Sequence, residues 1–126
     1  KVLALKDQEL RDCGMAWAKV RSIKDLATRV EKRQLHVRKL NKLSDEEVMK
    51  ELVAVKGIGP WTAEMFLMFS LGRQDVFPVD DLGIRNGMKK LLEKELKGDK
   101  LAKFSMRWKP WRTVASWYLW RSLENR

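Results

Sequence analysis

The sequence predicts an all-α protein, a compact bundle of about seven helices. Three observations support this prediction. Every strong apolar repeat has the three- and four-residue spacing of a helix, and no stretch alternates apolar and polar residues over the length of a strand. Glycine, proline and capping residues also divide the chain into segments of helical length. The 126 residues suffice for one hydrophobic core, so we expect a single domain over residues 1–126.

The chain is strongly basic, with a formal net charge of +10 and 27 Lys and Arg against 17 Asp and Glu. This charge favours a polyanionic partner, with nucleic acid ahead of an anionic membrane surface. A solvated lysine-rich surface is the alternative explanation. No apolar run is long enough to span a bilayer, and nothing at Lys1 resembles a signal peptide. One cysteine and one histidine offer no ligand set, so we expect no metal, no cofactor and an intracellular protein.

The first half of the chain shows two helices and a basic connector. A short helix over about residues 7–13 precedes a helix over residues 15–31, whose apolar stripe begins with Trp17, which we expect in the core. Residues 32–42 form the connector, for which a solvated loop and a phosphate contact are both open. Ser44 and Glu47 then have the spacing of a capping box, which opens the next helix.

A glycine-containing hairpin follows that helix. Its four residues are Lys56, Gly57, Ile58 and Gly59. The glycines permit a sharp turn and a close approach of the backbone, and Ile58 is expected as the apolar contact between the two helices. Backbone amides at such a turn, together with the lysine, can bind a phosphate without reading base sequence. A plain tight turn between packed helices explains the glycines nearly as well.

A helix over residues 61–71 comes next, with Pro60 at the position where a missing amide hydrogen costs least. It is apolar nearly all round, so we expect it to be the central buried helix. A loop then delivers two adjacent carboxylates. Asp80 is the better candidate for the N-cap of a helix running to about Leu96, and we expect Asp81 in the first turn of that helix. Two further helices, over about residues 99–106 and 109–123, complete the bundle.

Three blocks of the sequence carry a family resemblance. They are GIGPWTAEMF at the hairpin, DVFPVDDLGIR in the acidic loop and RWKPWRTVASWYLW near the C-terminus. In this order and spacing the chain resembles the helix–hairpin–helix DNA glycosylases, and among them the 3-methyladenine DNA glycosylase II group of alkylation repair. The resemblance extends over about residues 7–123. Relatives usually carry further helices before the position matching Asp7, among them one whose side chain wedges into the gap left by the flipped base. Three alternatives are open for these helices: a partner segment supplies them, the chain is a trimmed fragment, or it is an unusually compact member.

The resemblance implies roles for individual residues. The family's essential aspartate matches Asp81, and the positions that line its base pocket match Trp61, Met65 and Trp120. Met65 departs from the tyrosine often found there. Relatives that also cut the strand carry a nucleophilic lysine at the second position after the Gly-x-Gly, and this position is Trp61 here. The resemblance therefore implies an enzyme without Schiff-base chemistry, and Lys56 is expected to contact phosphate.

The activity that the resemblance implies is hydrolysis of the N-glycosidic bond of alkylated bases, of the 3-methyladenine and 7-methylguanine type, flipped from duplex DNA. Tryptophans suit this substrate, because N-alkylated purines are cationic and an aromatic face attracts a cation by about 0.5–2 kcal/mol. The expected partner is double-stranded DNA with damaged bases, bound by a monomer. Two alternatives remain open. One is a noncatalytic helix–hairpin–helix DNA-binding module in which Asp81 only caps a helix, and the other is a bifunctional glycosylase and lyase.

Overall fold

The computed structural model describes residues 1–124. These residues form seven α-helices and three short 3₁₀ helices and contain no strand, which confirms the all-α prediction. The chain divides into two compact units, one of residues 1–63 and one that begins at residue 64. The single domain expected over residues 1–126 stays a prediction.

The first unit contains three complete α-helices: α1 (Asp7–Asp12), α2 (Trp17–Glu31) and α3 (Asp45–Val53). Short 3₁₀ helices lie at Val2–Ala4 and Val37–Lys42, the second of them inside the basic connector. The capping box of α3 is confirmed. Ser44 Oγ accepts a hydrogen bond from the amide of Glu47 at 3.2 Å, and Glu47 Oε2 accepts one from the amide of Ser44 at 2.8 Å.

The buried apolar residues of the first unit come from helices and from the segments between them. They are Leu10, Val20, Leu35, Leu40, Val48, Leu52, Val55 and Ala63. Trp17 is not among them, because 47% of its surface is exposed, so its expected place in the core is wrong. It is the first residue of α2, and the guanidinium carbon of Arg11 lies 5.2 Å from its ring centroid. A cation–π contact therefore covers the indole at this helix end in place of apolar packing.

Helix α4 (Pro60–Phe69) carries the chain from the first unit into the second. Pro60 occupies its first position, as predicted. The middle of the helix is buried at Ala63, Leu67 and Met68, but Trp61 and Phe69 are 49% and 60% exposed. The expectation of a helix buried along its length is therefore correct in the middle and wrong at the two ends.

The second unit continues with α5 (Leu82–Leu92), α6 (Gly98–Ser105), a 3₁₀ turn (Met106–Trp108) and α7 (Arg112–Glu124). Helix α5 ends before the predicted Leu96, because Glu93 adopts a left-handed conformation with φ of 54°. Leu96 still packs against the core from the segment that follows.

One apolar core holds α5 and α7 together. Its buried members are Phe77, Ile84, Met88, Leu101 and Leu119, with Phe104 and Trp108 packed around them. The two helices approach closely at Gly87, where a Cβ atom would lie 2.8 Å from the carbonyl oxygen of Leu119. This approach brings the first turn of α5 near the aromatic residues of α7, and those two elements build the candidate site.

Candidate active site

The acidic loop before α5 is attached to the start of α7. Asp75 forms two hydrogen bonds with the guanidinium of Arg112, at 2.7 Å from Nε to Oδ1 and 3.0 Å from Nη2 to Oδ2. The Thr113 hydroxyl donates to the carbonyl of Arg73 at 2.7 Å and accepts from the amide of Val76 at 3.0 Å. These bonds fix the loop that delivers the two carboxylates.

Asp81 is the N-cap of α5. Its Oδ1 accepts a hydrogen bond from the amide of Ile84 at 2.8 Å, and the helix begins at Leu82. The prediction that Asp80 caps this helix and that Asp81 lies inside it is therefore wrong by one residue. Asp80 is exposed and lies in the turn before the cap. The partly buried member of the pair is the one that the family resemblance marks as essential.

Asp81 and Trp120 are in direct contact. The indole Nε1 of Trp120 donates a hydrogen bond to Asp81 Oδ1 at 2.8 Å, from a residue 39 positions further along the chain. Gly83 makes room for this contact, since a Cβ atom there would lie 2.7 Å from Trp120 Cδ1 and 3.0 Å from Asp81 Oδ1. Two predicted site residues thus meet through a charge-assisted hydrogen bond.

Two aromatic residues that sequence reasoning missed extend this site. Phe69 stacks with Trp120 at a centroid distance of 6.1 Å and with Trp117 at 6.4 Å, where the ring planes differ by only 4°. Trp117 is 51% exposed, so half of its surface faces solvent. We call Phe69, Trp117 and Trp120 the aromatic cluster. The three-residue spacing of the two tryptophans on α7 was the available signal, because it places both on one face of the helix.

Glu64 is a third missed residue. Burial raises its pKa to about 7, and the negative charges of Asp80 and Asp81 add to this effect. Its position on a helix whose other residues, apart from Thr62, are apolar was the sequence signal. The carboxylate of Asp81 therefore has another carboxyl group in its electrostatic environment, and this group changes protonation near neutral pH. Met65, the next residue of α4, is half-buried.

The hairpin in the first unit is supported by α2. Asp25 Oδ2 accepts hydrogen bonds from the amide of Lys56 at 2.7 Å and from Arg29 Nε at 2.9 Å. The pKa of Asp25 is lowered, first by the amide of Lys56 and then by Arg29. Asp25 is therefore a structural support of the turn that the sequence did not reveal.

The turn itself has one left-handed residue. Gly57 has a φ of 79°, and a Cβ atom there would lie 2.1 Å from Ser22 Oγ, whereas a Cβ atom at Gly59 would meet no atom within 4 Å. The amide of Ile58 donates to the carbonyl of Val55 at 3.1 Å, so this amide is occupied within the turn. The turn therefore requires glycine at position 57, whereas position 59 has space for a side chain.

A cavity of about 810 Å³ lies elsewhere in the second unit. Its lining includes Lys90, Leu91, Trp108, Trp111, Tyr118 and Leu119, and none of Asp81, Trp117 and Trp120. We place the candidate site at Asp81 rather than in this cavity, because catalysis needs the juxtaposition of a carboxylate with a substrate surface and not volume alone.

The described residues place further limits on the site. Within residues 1–124, no group of three His, Cys, Asp or Glu side chains is arranged to hold a metal ion. Among the same residues, no helix is both long enough and apolar enough to cross a membrane.

Comparison with known proteins identifies the family. Residues 1–112 match a family described as the HhH-GPD superfamily base excision DNA repair protein. DNA-3-methyladenine glycosylase 1 of Schizosaccharomyces pombe is 41% identical over 116 residues, which are 90% of this chain and 51% of that protein. The chain spans about half the length of the curated relatives it matches.

Solved structures agree with this match. The structure of DNA-3-methyladenine glycosidase from Bacillus halodurans has a TM-score of 0.84 and 41% identity, and the match covers 94% of this chain and 55% of that one. The Schizosaccharomyces pombe 3-methyladenine DNA glycosylase, in complex with abasic DNA, has a TM-score of 0.80 and 36% identity, with 98% and 61% of the two chains covered. The chain therefore belongs to the HhH-GPD superfamily of base excision DNA repair proteins.

Proposed function

We propose that this chain carries the catalytic centre of a monofunctional DNA glycosylase that hydrolyses the N-glycosidic bond of alkylated bases in duplex DNA. The observation that carries the proposal is the contact of Asp81 with Trp120 inside the aromatic cluster. A carboxylate suited to a developing positive charge thus lies beside rings suited to a cationic base.

The hairpin is proposed to hold the DNA backbone. Gly57 turns the chain sharply, and the start of α4 follows at Pro60, so the positive end of a helix dipole lies at the turn. Lys56 is exposed and adds a cation. Gly57, Ile58 and Gly59 contribute backbone and shape, which recognise phosphate without reading base sequence. The net charge of +10 supports the same polyanionic partner.

The flipped base is proposed to stack on aromatic faces. Trp61 and Met65 belong to α4 and Trp120 belongs to α7, and these three positions match the family's pocket. The exposed faces of Phe69 and Trp117 supply further electron-rich surface beside Trp120. A cationic N-alkylated purine is attracted to such faces, whereas a neutral base lacks this cation–π attraction. The proposed substrates are therefore bases of the 3-methyladenine and 7-methylguanine type.

The bond from the base nitrogen to C1′ breaks with its electron pair passing to the base, which leaves as a neutral molecule because it was cationic. The sugar acquires oxocarbenium character, and the carboxylate of Asp81 stabilises this charge. Water then forms a bond to C1′ and loses its proton to Asp81 or to solvent, which leaves an abasic site. Because Trp61 stands where lyases carry their nucleophilic lysine, no Schiff base is expected.

An excision assay tests this function. The chain is incubated with duplexes that contain one 7-methylguanine or 3-methyladenine, and alkali then cuts the abasic sites. We expect excision by the unaltered chain, no adduct after borohydride, and loss of excision with retained DNA binding in Asp81→Asn. Full excision by that variant would remove Asp81 from the mechanism, and a borohydride adduct would favour a lyase.

One observation favours a second candidate, a noncatalytic DNA-binding module. Asp81 caps α5 through the amide of Ile84, so a purely structural role explains part of its geometry. A module of this kind binds DNA without excising any base, and Asp81→Asn then changes stability alone. The same assay therefore separates the two functions.

A further inference from the structure

We propose that Trp120 is a positioning residue that holds the carboxylate of Asp81 through its indole N–H, in addition to offering a ring face to a base. The inference deepens the proposed function and rests on the assignment of Asp81 to the reaction.

Two hydrogen-bond donors converge on one oxygen of Asp81. Asp81 Oδ1 accepts from the amide of Ile84 and from Trp120 Nε1, both at 2.8 Å. Capping of α5 needs only the amide. The second donor comes from a side chain of α7, so the plane of the carboxylate is defined by two elements of the fold. A cap alone leaves more freedom of rotation about the bond to the carboxylate carbon.

The backbone at Gly83 leaves space for the indole of Trp120. Any residue other than glycine at position 83 would place its Cβ 2.7 Å from Trp120 Cδ1 and 2.8 Å from Nε1. Gly83 lies in the first turn of α5, where its φ is not left-handed, so backbone conformation does not demand glycine there. Close approach of Trp120 to Asp81 is the reason the structure supplies for this glycine.

The ring of Trp120 is itself supported by a neighbouring ring. Phe69 stacks on Trp120 with a centroid distance of 6.1 Å and an interplanar angle of 24°. The indole is thus held by a ring contact and directed by a hydrogen bond. Two acidic residues lie in the electrostatic environment of this site: Glu64 on α4 interacts with the charges of both Asp81 and Asp80, and Asp80 lies in the turn just before Asp81. Against these negative neighbours, an N–H donor favours the ionised form that the reaction needs.

The test compares Trp120→Phe with the unaltered chain in single-turnover excision of 7-methylguanine. Phenylalanine retains an aromatic face and removes the donor. Since a hydrogen bond to a charged group contributes about 1.5–3 kcal/mol, we expect the excision rate to fall about 10- to 100-fold. We expect DNA affinity to change less than about threefold, because the lost interaction acts on the reacting carboxylate. The acidic limb of the pH–rate profile should move to higher pH.

Two further variants make the result specific. Trp111→Phe makes the same chemical change just before α7, at a residue that lines the separate cavity, and should leave the rate unchanged. Gly83→Ala keeps Trp120, but its Cβ crowds both the indole and Asp81 Oδ1, so it should disturb the contact between them and lower the rate. Thermal unfolding of each variant identifies any that fails to fold, and the comparison then uses the one that folds.

An unchanged excision rate in Trp120→Phe would overturn the inference, and so would a loss confined to DNA affinity. If Asp81→Asn is inactive in that case, the proposed catalytic role of Asp81 stands and only the role of Trp120 fails. If Asp81→Asn is itself fully active, the proposed function fails and the inference fails with it.

Discussion

The guanidinium of Arg112 donates hydrogen bonds to both carboxylate oxygens of Asp75. Its Nη2 also donates to the backbone carbonyl of Asp75 at 3.2 Å. The amide of Arg112 contributes a longer bond of 3.4 Å to Oδ1. Both side chains are largely covered, with 28% of Asp75 and 20% of Arg112 exposed. This pair attaches the acidic loop to α7 and so sets the position of the carboxylate six residues further on.

We therefore expect Asp75→Asn to destabilise the protein at pH 7 by about 1–2 kcal/mol, because charge-assisted, bidentate bonds are lost. Arg112 holds the pKa of Asp75 below its ordinary value of 3.8, so this stability is present above pH 3.8 and is lost as the pH falls further. Urea unfolding at pH 7 and near pH 3 measures the difference. Glu124→Gln, which removes an exposed ion pair with Arg121, is the control and should have little effect. If Asp75→Asn lost the same free energy of unfolding at pH 7 and near pH 3, the ionised carboxylate of Asp75 would not be the source of this stability.

The two hairpin glycines form a matched pair. Gly57→Ala places a Cβ at a φ of 79° and 2.1 Å from Ser22 Oγ, whereas Gly59→Ala adds a methyl group into open space. We expect Gly57→Ala to lower the free energy of unfolding by at least about 1 kcal/mol and to weaken DNA binding. Gly59→Ala should change stability by no more than about 0.5 kcal/mol. Chemical unfolding and fluorescence anisotropy with a labelled duplex measure both effects, and equal losses would remove the special role of Gly57.

Glu64 makes stability depend on pH near neutrality. Its pKa is raised from 4.5 to about 7 in the folded protein, so the unfolded chain releases the proton at lower pH than the folded one does. The contribution of Glu64 to the free energy of unfolding is fully present below pH 4.5 and is lost as the pH rises to about 7. Since Glu64 is only half-buried and solvent screens its charge, we expect a fall of about 1 kcal/mol.

In Glu64→Gln this fall should disappear, so the variant gains stability relative to the unaltered chain between pH 4.5 and pH 8. Urea unfolding over that pH range is the measurement. Glu31→Gln changes an exposed glutamate at the end of α2 and is the matched control, with no comparable gain expected. A pH profile of Glu64→Gln identical to that of the unaltered chain would show that this carboxyl does not titrate as described.

Trp117 should contribute to the choice of base. Trp117→Ala removes an exposed ring that stacks on Phe69, and the loss of a cation–π contact of about 0.5–2 kcal/mol should raise KM for 7-methylguanine about 2- to 30-fold. A neutral damaged base such as hypoxanthine should be affected less. Excision kinetics on both duplexes measure the change in KM for each base, and the ratio of the two changes is compared with that in the control, Trp111→Ala. Equal effects on both bases would indicate general stacking and not recognition of charge.

The sequence predicted much of the local structure. The capping box at Ser44, the start of α4 at Pro60 and the helical spacing of α2 and α7 follow from interactions over three or four residues. The choice between Asp80 and Asp81 as the N-cap did not follow. Both residue types cap helices well, and they are adjacent, so local preference cannot distinguish them. The fold decides in favour of Asp81, whose oxygen also accepts from Trp120.

In the candidate site, too, the sequence indicated some residues, and the tertiary structure was needed to find the others. Sequence motifs marked Asp81, Trp120 and the hairpin, because these positions match a family pattern. They did not mark Phe69, Trp117 or Glu64, whose roles depend on neighbours from other helices. Asp25 was missed for a similar reason, since it supports the amide of Lys56 from 31 residues away. Helical periodicity says which face a residue occupies but not what that face meets.

The sequence by itself determined an all-α chain, a glycine hairpin before α4, a strongly basic charge and the residue types available for chemistry. Only the tertiary structure decided which of two aspartates caps α5, that Trp120 bonds to it, and that Gly83 leaves the necessary space. The physical reason is the distance along the chain between the residues that interact. Helices are specified by contacts between residues three or four positions apart, whereas the bond between Asp81 and Trp120 joins residues 39 positions apart. That bond forms only when the apolar core has packed α5 against α7.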